Sequence, residues 1–161
     1  MKTIILVRHG KSSWKYDVGD RQRPLKTRGL NDIKLVAKEY IKFGELPEKI
    51  FSSPAKRAYQ TCKIFIKTCE LDQKEVTIIE ELYDFNGRNV INFIKSLEDT
   101  INSIMIFGHN HAFTSISNIF GDRFIENLPT SGLVKINFEI DNWKSLEKGK
   151  TELIIVPKDL R

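Results

Sequence analysis

Ile4-Ile5-Leu6-Val7-Arg8-His9-Gly10 is an apolar run that ends abruptly in a cation, an imidazole and a flexible residue. A short apolar run bounded by Gly reads as a buried strand. In open α/β sheets, ligands collect just beyond the carboxyl ends of such strands. Arg and His delivered there, beside a Gly that lets backbone approach closely, suit a small anion. The pattern returns at Ile104-Met105-Ile106-Phe107-Gly108-His109-Asn110. The chain has 3 His, and the third, His111, follows His109 two residues on. Every imidazole therefore falls at one of two matching strand ends. Two imidazoles facing each other across a sheet edge, with Arg8 beside one, predict a basic pocket of phosphate size and hence phosphoryl chemistry.

Working outward, residues 11–26 form a polar stretch with Gly19, Asp20 and Pro24, long for a loop and expected to cover or face a substrate. Thr27 reads as a helix N-cap. Leu30, Ile33, Val36, Ala37, Tyr40 and Ile41 then keep helical spacing until Gly44. Residues 49–51 form a short second strand. Ser53-Pro54 reads as a helix start, an N-cap hydroxyl followed by proline at the first helical position. Ala58, Cys62, Phe65 and Cys69 mark that helix's buried face. Residues 76–79 read as a third strand, and Val90, Ile91, Phe93, Ile94 and Leu97 as an amphipathic helix leading to the strand at 104–107. Residues 111–120 are expected to be helical and closed by Gly121. Residues 133–140 alternate as a partly exposed strand, and residues 152–156 form the last one. Strands alternating with helices predict an α/β three-layer sandwich, a largely parallel central sheet with helices on both faces. With 161 residues and no repeats or linkers, a single domain over 1–161 is expected.

Hydrophobic residues make up 40% and charged residues 29% of the chain, ordinary for a globular protein. No apolar stretch has the length to cross a bilayer. Arg8-His9 cuts the first apolar run short and no cleavage site follows, so a cytoplasmic location without membrane association is expected. Cys62 and Cys69 form no C-x-x-C pattern and read as core thiols. The net charge is +5, yet the lysines are evenly spread. The aromatic-interleaved basic stripe of a nucleic-acid binder is missing, which leaves a modest positive field that draws phosphorylated substrates.

Arg57 falls in the first turn of its helix, where the helix dipole disfavours a cation unless an anion is bound. Arg8-His9-Gly10, Ser53-Pro54-Ala55-Lys56-Arg57-Ala58-Tyr59-Gln60-Thr61 and Gly108-His109-Asn110 together resemble the histidine phosphatase superfamily. Arg8-His9-Gly10-Lys11-Ser12-Ser13-Trp14, Arg23-Pro24-Leu25 with Arg28-Gly29, and Pro129-Thr130-Ser131-Gly132 look like its small phosphohistidine phosphatase branch. The resemblance spans nearly the whole chain. It implies that His9 is the nucleophile, forming a phosphohistidine that water hydrolyses, and that Arg8, Arg57 and His109 bind the phosphoryl oxygens. Two neighbouring arginines would keep His9 neutral, as a nucleophile must be. A His109 that donates to phosphate is expected to be protonated once substrate is bound. Asp84, after Leu82-Tyr83, is the expected general acid, with Glu81 behind it; the alternative is that Asp84 caps the next helix or turn. Lys11, Ser12, Asn110 and Thr130 are candidate further contributors to the pocket. The family usually has Asn-Pro where Asn110-His111 stands, so His111 is either a plain first-turn residue, a substrate contact, or part of an adventitious metal site.

The resemblance implies no cofactor and no metal. The expected substrate is phosphohistidine on a protein, with a histidine phosphotransfer domain among the candidate partners. A small phosphorylated metabolite is the alternative and would need Asp84. A phosphate-binding module without turnover, and a metallohydrolase built on His109 and His111, are the remaining readings.

Overall fold

The computed structural model describes residues 1–71 and 74–161. Its strands are β1 (Lys2–Arg8), β2 (Lys49–Ser52), β3 (Val76–Ile78), β4 (Ser103–Gly108), β5 (Leu133–Phe138) and β6 (Lys150–Ile155). Its α-helices are α1 (Thr27–Ile41), α2 (Lys56–Thr68), α3 (Arg88–Lys95) and α4 (Ala112–Phe120). The strands form one sheet in the order β3-β2-β4-β1-β5-β6. β3, β2, β4 and β1 pair in parallel, and β5 runs antiparallel to both β1 and β6. This is the largely parallel sheet expected. No described helix is long and apolar enough to cross a membrane.

Side chains of a strand alternate between faces, and the two central strands are apolar on both. Ile4, Leu6, Ile104 and Ile106 share a core with Val90 and Ile94 of α3 and Phe113 and Ile116 of α4. Ile5, Val7, Met105 and Phe107 share the opposite core with Ile33 and Val36 of α1 and Cys62 and Phe65 of α2. Burying each such side chain contributes roughly 1.5–3 kcal/mol, so the strands that present the site are also the most strongly held.

From β1 the chain leaves through α1 toward the β2 side of the sheet. From the adjacent β4 it leaves through α4, on the other face, toward β5. That divergence opens a crevice at the carboxyl ends of β1 and β4, the switch point at which α/β sheets bind ligands.

Some elements differ from the sequence reading. β5 is buried on both sides rather than partly exposed, and it ends at Phe138. Its apparent outward residue, Lys135, is 2% exposed, because its ammonium pairs with Glu45 at 3.2 Å and Glu152 at 3.0 Å. α1 begins at Thr27 itself, with Lys26 in the cap position. α2 begins at Lys56 after Ala55, not at Ser53-Pro54. Ser53 instead prolongs the β2 ladder, its N–H bonded to the Phe107 carbonyl at 2.9 Å. α3 ends before Leu97.

Candidate active site

His9 is the first residue past β1, Ser53 the first past β2 and His109 the first past β4. Arg8 pairs with Gly108 across the ladder, and the His9 N–H continues it to the Gly108 carbonyl at 3.0 Å. Register thus brings the two imidazoles together, ring centroids 5.3 Å apart. His9 lines a cleft of about 290 Å³ together with Arg8, Lys11, Ser12, Trp14, Asp20, Arg23, Arg57, Phe85, Asn110 and Thr130. His109 lies behind His9, its ring 4.9 Å from that of Phe85 and 5.4 Å from that of Tyr83.

Hydrogen bonding fixes the chemistry of each ring. His9 Nδ1 is 2.7 Å from the Gly10 carbonyl oxygen. A carbonyl only accepts, so Nδ1 carries the proton and Nε2 keeps a free lone pair. Burial, reinforced by Arg57, Arg8 and Arg23 and opposed by the Gly10 bond, pushes the His9 pKa down to about 3. At neutral pH the ring is an uncharged nucleophile. His109 Nε2 is 2.8 Å from Ser53 Oγ. That oxygen also accepts the Ala55 N–H at 3.2 Å. His109 Nδ1 is buried without a partner. Burial, followed by His9 and Arg57, holds the His109 pKa down to about 2. The free site therefore keeps His109 neutral.

The arginines reach the cleft from two directions. Arg8 Nη1 is anchored on the Leu128 carbonyl at 2.7 Å. Arg57, 2% exposed, donates from Nη1 to the Asp20 carbonyl at 2.6 Å and from Nη2 to Asp20 Oδ2 at 2.9 Å. Arg8 Nε and Arg57 Nε are buried and, like His109 Nδ1, have no partner in the protein. Buried donors are rarely left so, and the two arginine donors suit an anion.

Residues 11–26 close on themselves over this site. Ser12 bridges Leu25, the Ser13 N–H bonds the Pro24 carbonyl at 2.8 Å, and the Lys26 N–H bonds the Lys11 carbonyl at 2.9 Å. Helix α2 ties the loop down through Gln60 Oε1, which accepts the Leu25 N–H at 2.9 Å. Thr61 Oγ1 accepts the Gly10 N–H at 2.9 Å and donates to the Arg57 carbonyl at 2.7 Å. Gly29 is needed where α1 meets the loop, since a Cβ there would lie 2.4 Å from the Lys11 oxygen.

Of the residues expected from sequence, the structure brings together Arg8, His9, Arg57 and His109, and places Lys11, Ser12, Asn110 and Thr130 on the cleft walls. Ser12 Oγ accepts Arg23 Nη1 at 2.7 Å. Asn110 turns its amide to Asn127 and Thr114, at 2.8 and 2.7 Å, and so braces the start of α4. Asp84 takes the capping alternative. It is buried, and its two oxygens accept the N–H groups of Asn86, Gly87, Asn89 and Val90 at 3.0–3.2 Å. It caps α3, where Gly87 takes φ +104°, and its carboxylate is committed to backbone. Glu81 is exposed and lies in a separate surface depression with Asn89 and Asn92. His111 is exposed at the N-cap position of α4.

Sequence reasoning missed Asp20, Arg23, Ser53, Tyr83 and Phe85 as site residues. Ser53 carried a usable signal, since it comes one residue past its strand just as the two histidines do. Asp20 carried none, lying in a loop without periodicity. Its carboxylate is opposed by burial, but hydrogen bonds from Tyr83, Arg57 and Arg23 and the Arg57 charge prevail, holding it far below the usual carboxylate range.

The profile of the histidine phosphatase superfamily (branch 1) matches residues 4–90. The chain is 26% identical over 161 residues to the uncharacterized protein ML1117 of Mycobacterium leprae, covering 92% of this chain and 96% of that protein. Its fold is similar to that of the protein histidine phosphatase SixA complexed with tungstate, with TM-score 0.83, 20% identity and 99% of each chain covered. It is also similar, at TM-score 0.67 and 11% identity over 95% of this chain and 98% of that one, to the mycobacterial glucosyl-3-phosphoglycerate phosphatase Rv2419c.

Proposed function

This chain belongs to the histidine phosphatase superfamily and is a phosphatase; we propose that it acts without a metal, through a phosphohistidine on His9, upon phosphohistidine carried by a protein. His9 Nε2 attacks phosphorus, an N–P bond forms as the bond to the leaving group breaks in line, and water then cleaves the N–P bond. Arg8, Arg57 and His109 hold the equatorial oxygens, where phosphoryl transfer gathers charge. The observation that carries the reading is the His9 Nδ1 bond to the Gly10 carbonyl. It puts the proton of the ring on Nδ1, so that the ring kept neutral by burial and by its cationic neighbours presents a free Nε2.

The phosphohistidine substrate is supported by the commitment of Asp84 to capping α3. A labile P–N bond has the least need of a strong acid at the position the resemblance implies. The exposed Trp14, Tyr16 and Phe85 offer contact area at and beside the cleft to a protein that carries the phosphoryl group. The likeness to SixA in fold agrees with this. A small phosphorylated metabolite is the second reading, favoured by the carboxylate of Asp20 in the cleft. A single cytoplasmic domain completes the proposal, supported by two free, buried thiols whose pKa burial raises to about 12.

The test is phosphate release in EDTA from a histidine-phosphorylated protein, beside a panel of phosphomonoesters. Wild type is expected to release phosphate rapidly from the protein, and His9→Ala only a trace. Turnover confined to small esters would favour the metabolite reading, and full activity in His9→Ala would remove the mechanism.

A further inference from the structure

We propose that Asp20 is the proton donor to the leaving group, held in reserve on Arg57 until a phosphoryl group displaces it. This rests on the reading of the cleft as a phosphoryl-transfer site and adds the acid which that reading lacks.

Asp20 is the one carboxylate among the described residues lining the cleft. Both terminal nitrogens of Arg57 are turned to it, one to its carbonyl and one to its carboxylate. A phosphoryl oxygen bound by Arg57 needs the same N–H groups, so the carboxylate and the substrate compete for one cation. The remaining neighbours of the carboxylate are Arg23, whose Nε is 3.1 Å from Oδ1, and the Tyr83 hydroxyl, bonded to Oδ2. His109 is near enough to feel its charge. Arg21 lies 4.4 Å from the centre of the Tyr83 ring and pairs with Glu80, fixing the tyrosine from outside.

A bound dianion changes this balance in one direction. It takes the Arg57 charge that favoured the carboxylate and sets negative charge beside it, and both effects favour the protonated acid. The Tyr83 hydroxyl then holds the carboxyl group in the cleft that His9 also lines. In the first step His9 Nε2 donates its lone pair to phosphorus, the bond from phosphorus to the leaving oxygen breaks, and the Asp20 proton goes to that oxygen. In the second step the Asp20 carboxylate takes a proton from water as the water oxygen bonds phosphorus and the N–P pair returns to His9. The acid is regenerated, and the sum is ester plus water giving alcohol plus phosphate. With phosphohistidine the same proton serves the leaving imidazole but matters less.

Tungstate, a dianion across the neutral range, tests the binding half. Calorimetry near pH 6.5 in two buffers of different ionisation enthalpy should show wild type taking up about one proton per tungstate bound. Asp20→Asn should take up none and bind tungstate several-fold more tightly, its competitor gone. The chemical half is read from kcat/KM for phenyl phosphate against p-nitrophenyl phosphate, whose leaving group needs little help. The ratio should fall about 10²-fold in Asp20→Asn, the scale of general-acid catalysis, and Asp20→Ala should reproduce it. Equal losses on both esters, or proton uptake that survives in Asp20→Asn and so belongs to His109, would overturn the assignment. Those failures with His9-dependent release from phosphohistidine intact would remove only the acid. Absence of both tungstate binding and His9-dependent turnover would instead remove the phosphatase mechanism beneath it.

Discussion

At the scale of single residues the site is a set of rings fixed by the groups that stand behind them. Gly10 settles the His9 tautomer and Ser53 holds the His109 ring by Nε2. Ser53→Ala leaves His109 Nε2 without its partner, at the worth of one hydrogen bond of about 1 kcal/mol. The expected result is a fall in kcat of about five- to tenfold with KM little changed, and a His109 ring whose 15N shifts differ from those of wild type. An unchanged kcat with an unchanged ring spectrum would show that Ser53 positions nothing. Arg8, His9 and His109 were legible in the sequence because each stands at the end of an apolar run, a position that the ladder register fixes. Asp20 was not, because its place depends on how residues 11–26 fold back over α2, and that is decided by contacts such as Leu25 with Gln60 rather than by any local period.

At the scale of elements, the segment between β3 and α3 was the least legible. A carboxylate three residues before Gly87 fits an acid in the cleft and a cap on α3 equally well by sequence. The open N–H groups of a helix start decide for the cap. Asp84→Ala is therefore expected to lower stability by about 0.5–2 kcal/mol while leaving the phenyl to p-nitrophenyl phosphate ratio as in wild type. Denaturant midpoints and the two kcat/KM values measure both. A collapse of that ratio at normal stability would return the acid to Asp84. Strand and helix identities are plain in the sequence where apolar spacing is long, as in β1, β4 and α1. They are not at Lys135, whose charge is satisfied inside, or at the start of α2, where Ser53 serves the sheet and His109 before any helix.

At the scale of the whole molecule, holding two neutral imidazoles next to arginines couples folding to pH. The unfolded chain protonates these rings below about pH 6.5, whereas folded His9 and His109 resist until about 3 and about 2. Between those limits the unfolded state binds more protons, so stability is full above the unfolded value and falls as pH drops. Chemical denaturation between pH 6.5 and 5 is expected to show a slope approaching two protons, reduced by about one in His109→Phe. A slope of about one in wild type would mean that one ring is charged in the fold, and a flat profile that both are. The sheet explains why the cost is borne: β1 and β4, the strands that end in the histidines, pair at its centre and are packed from both faces.

The central claim is that phosphorus becomes bonded to His9. Rapid alkaline quench of the wild-type protein with labelled substrate, then peptide mapping, tests it most directly. The expected result is an acid-labile, alkali-stable phosphoryl group on the peptide containing His9, formed and lost at rates that support turnover and absent from His9→Ala. Turnover with no phosphorylated His9 at any time, or with label on another residue, would contradict it.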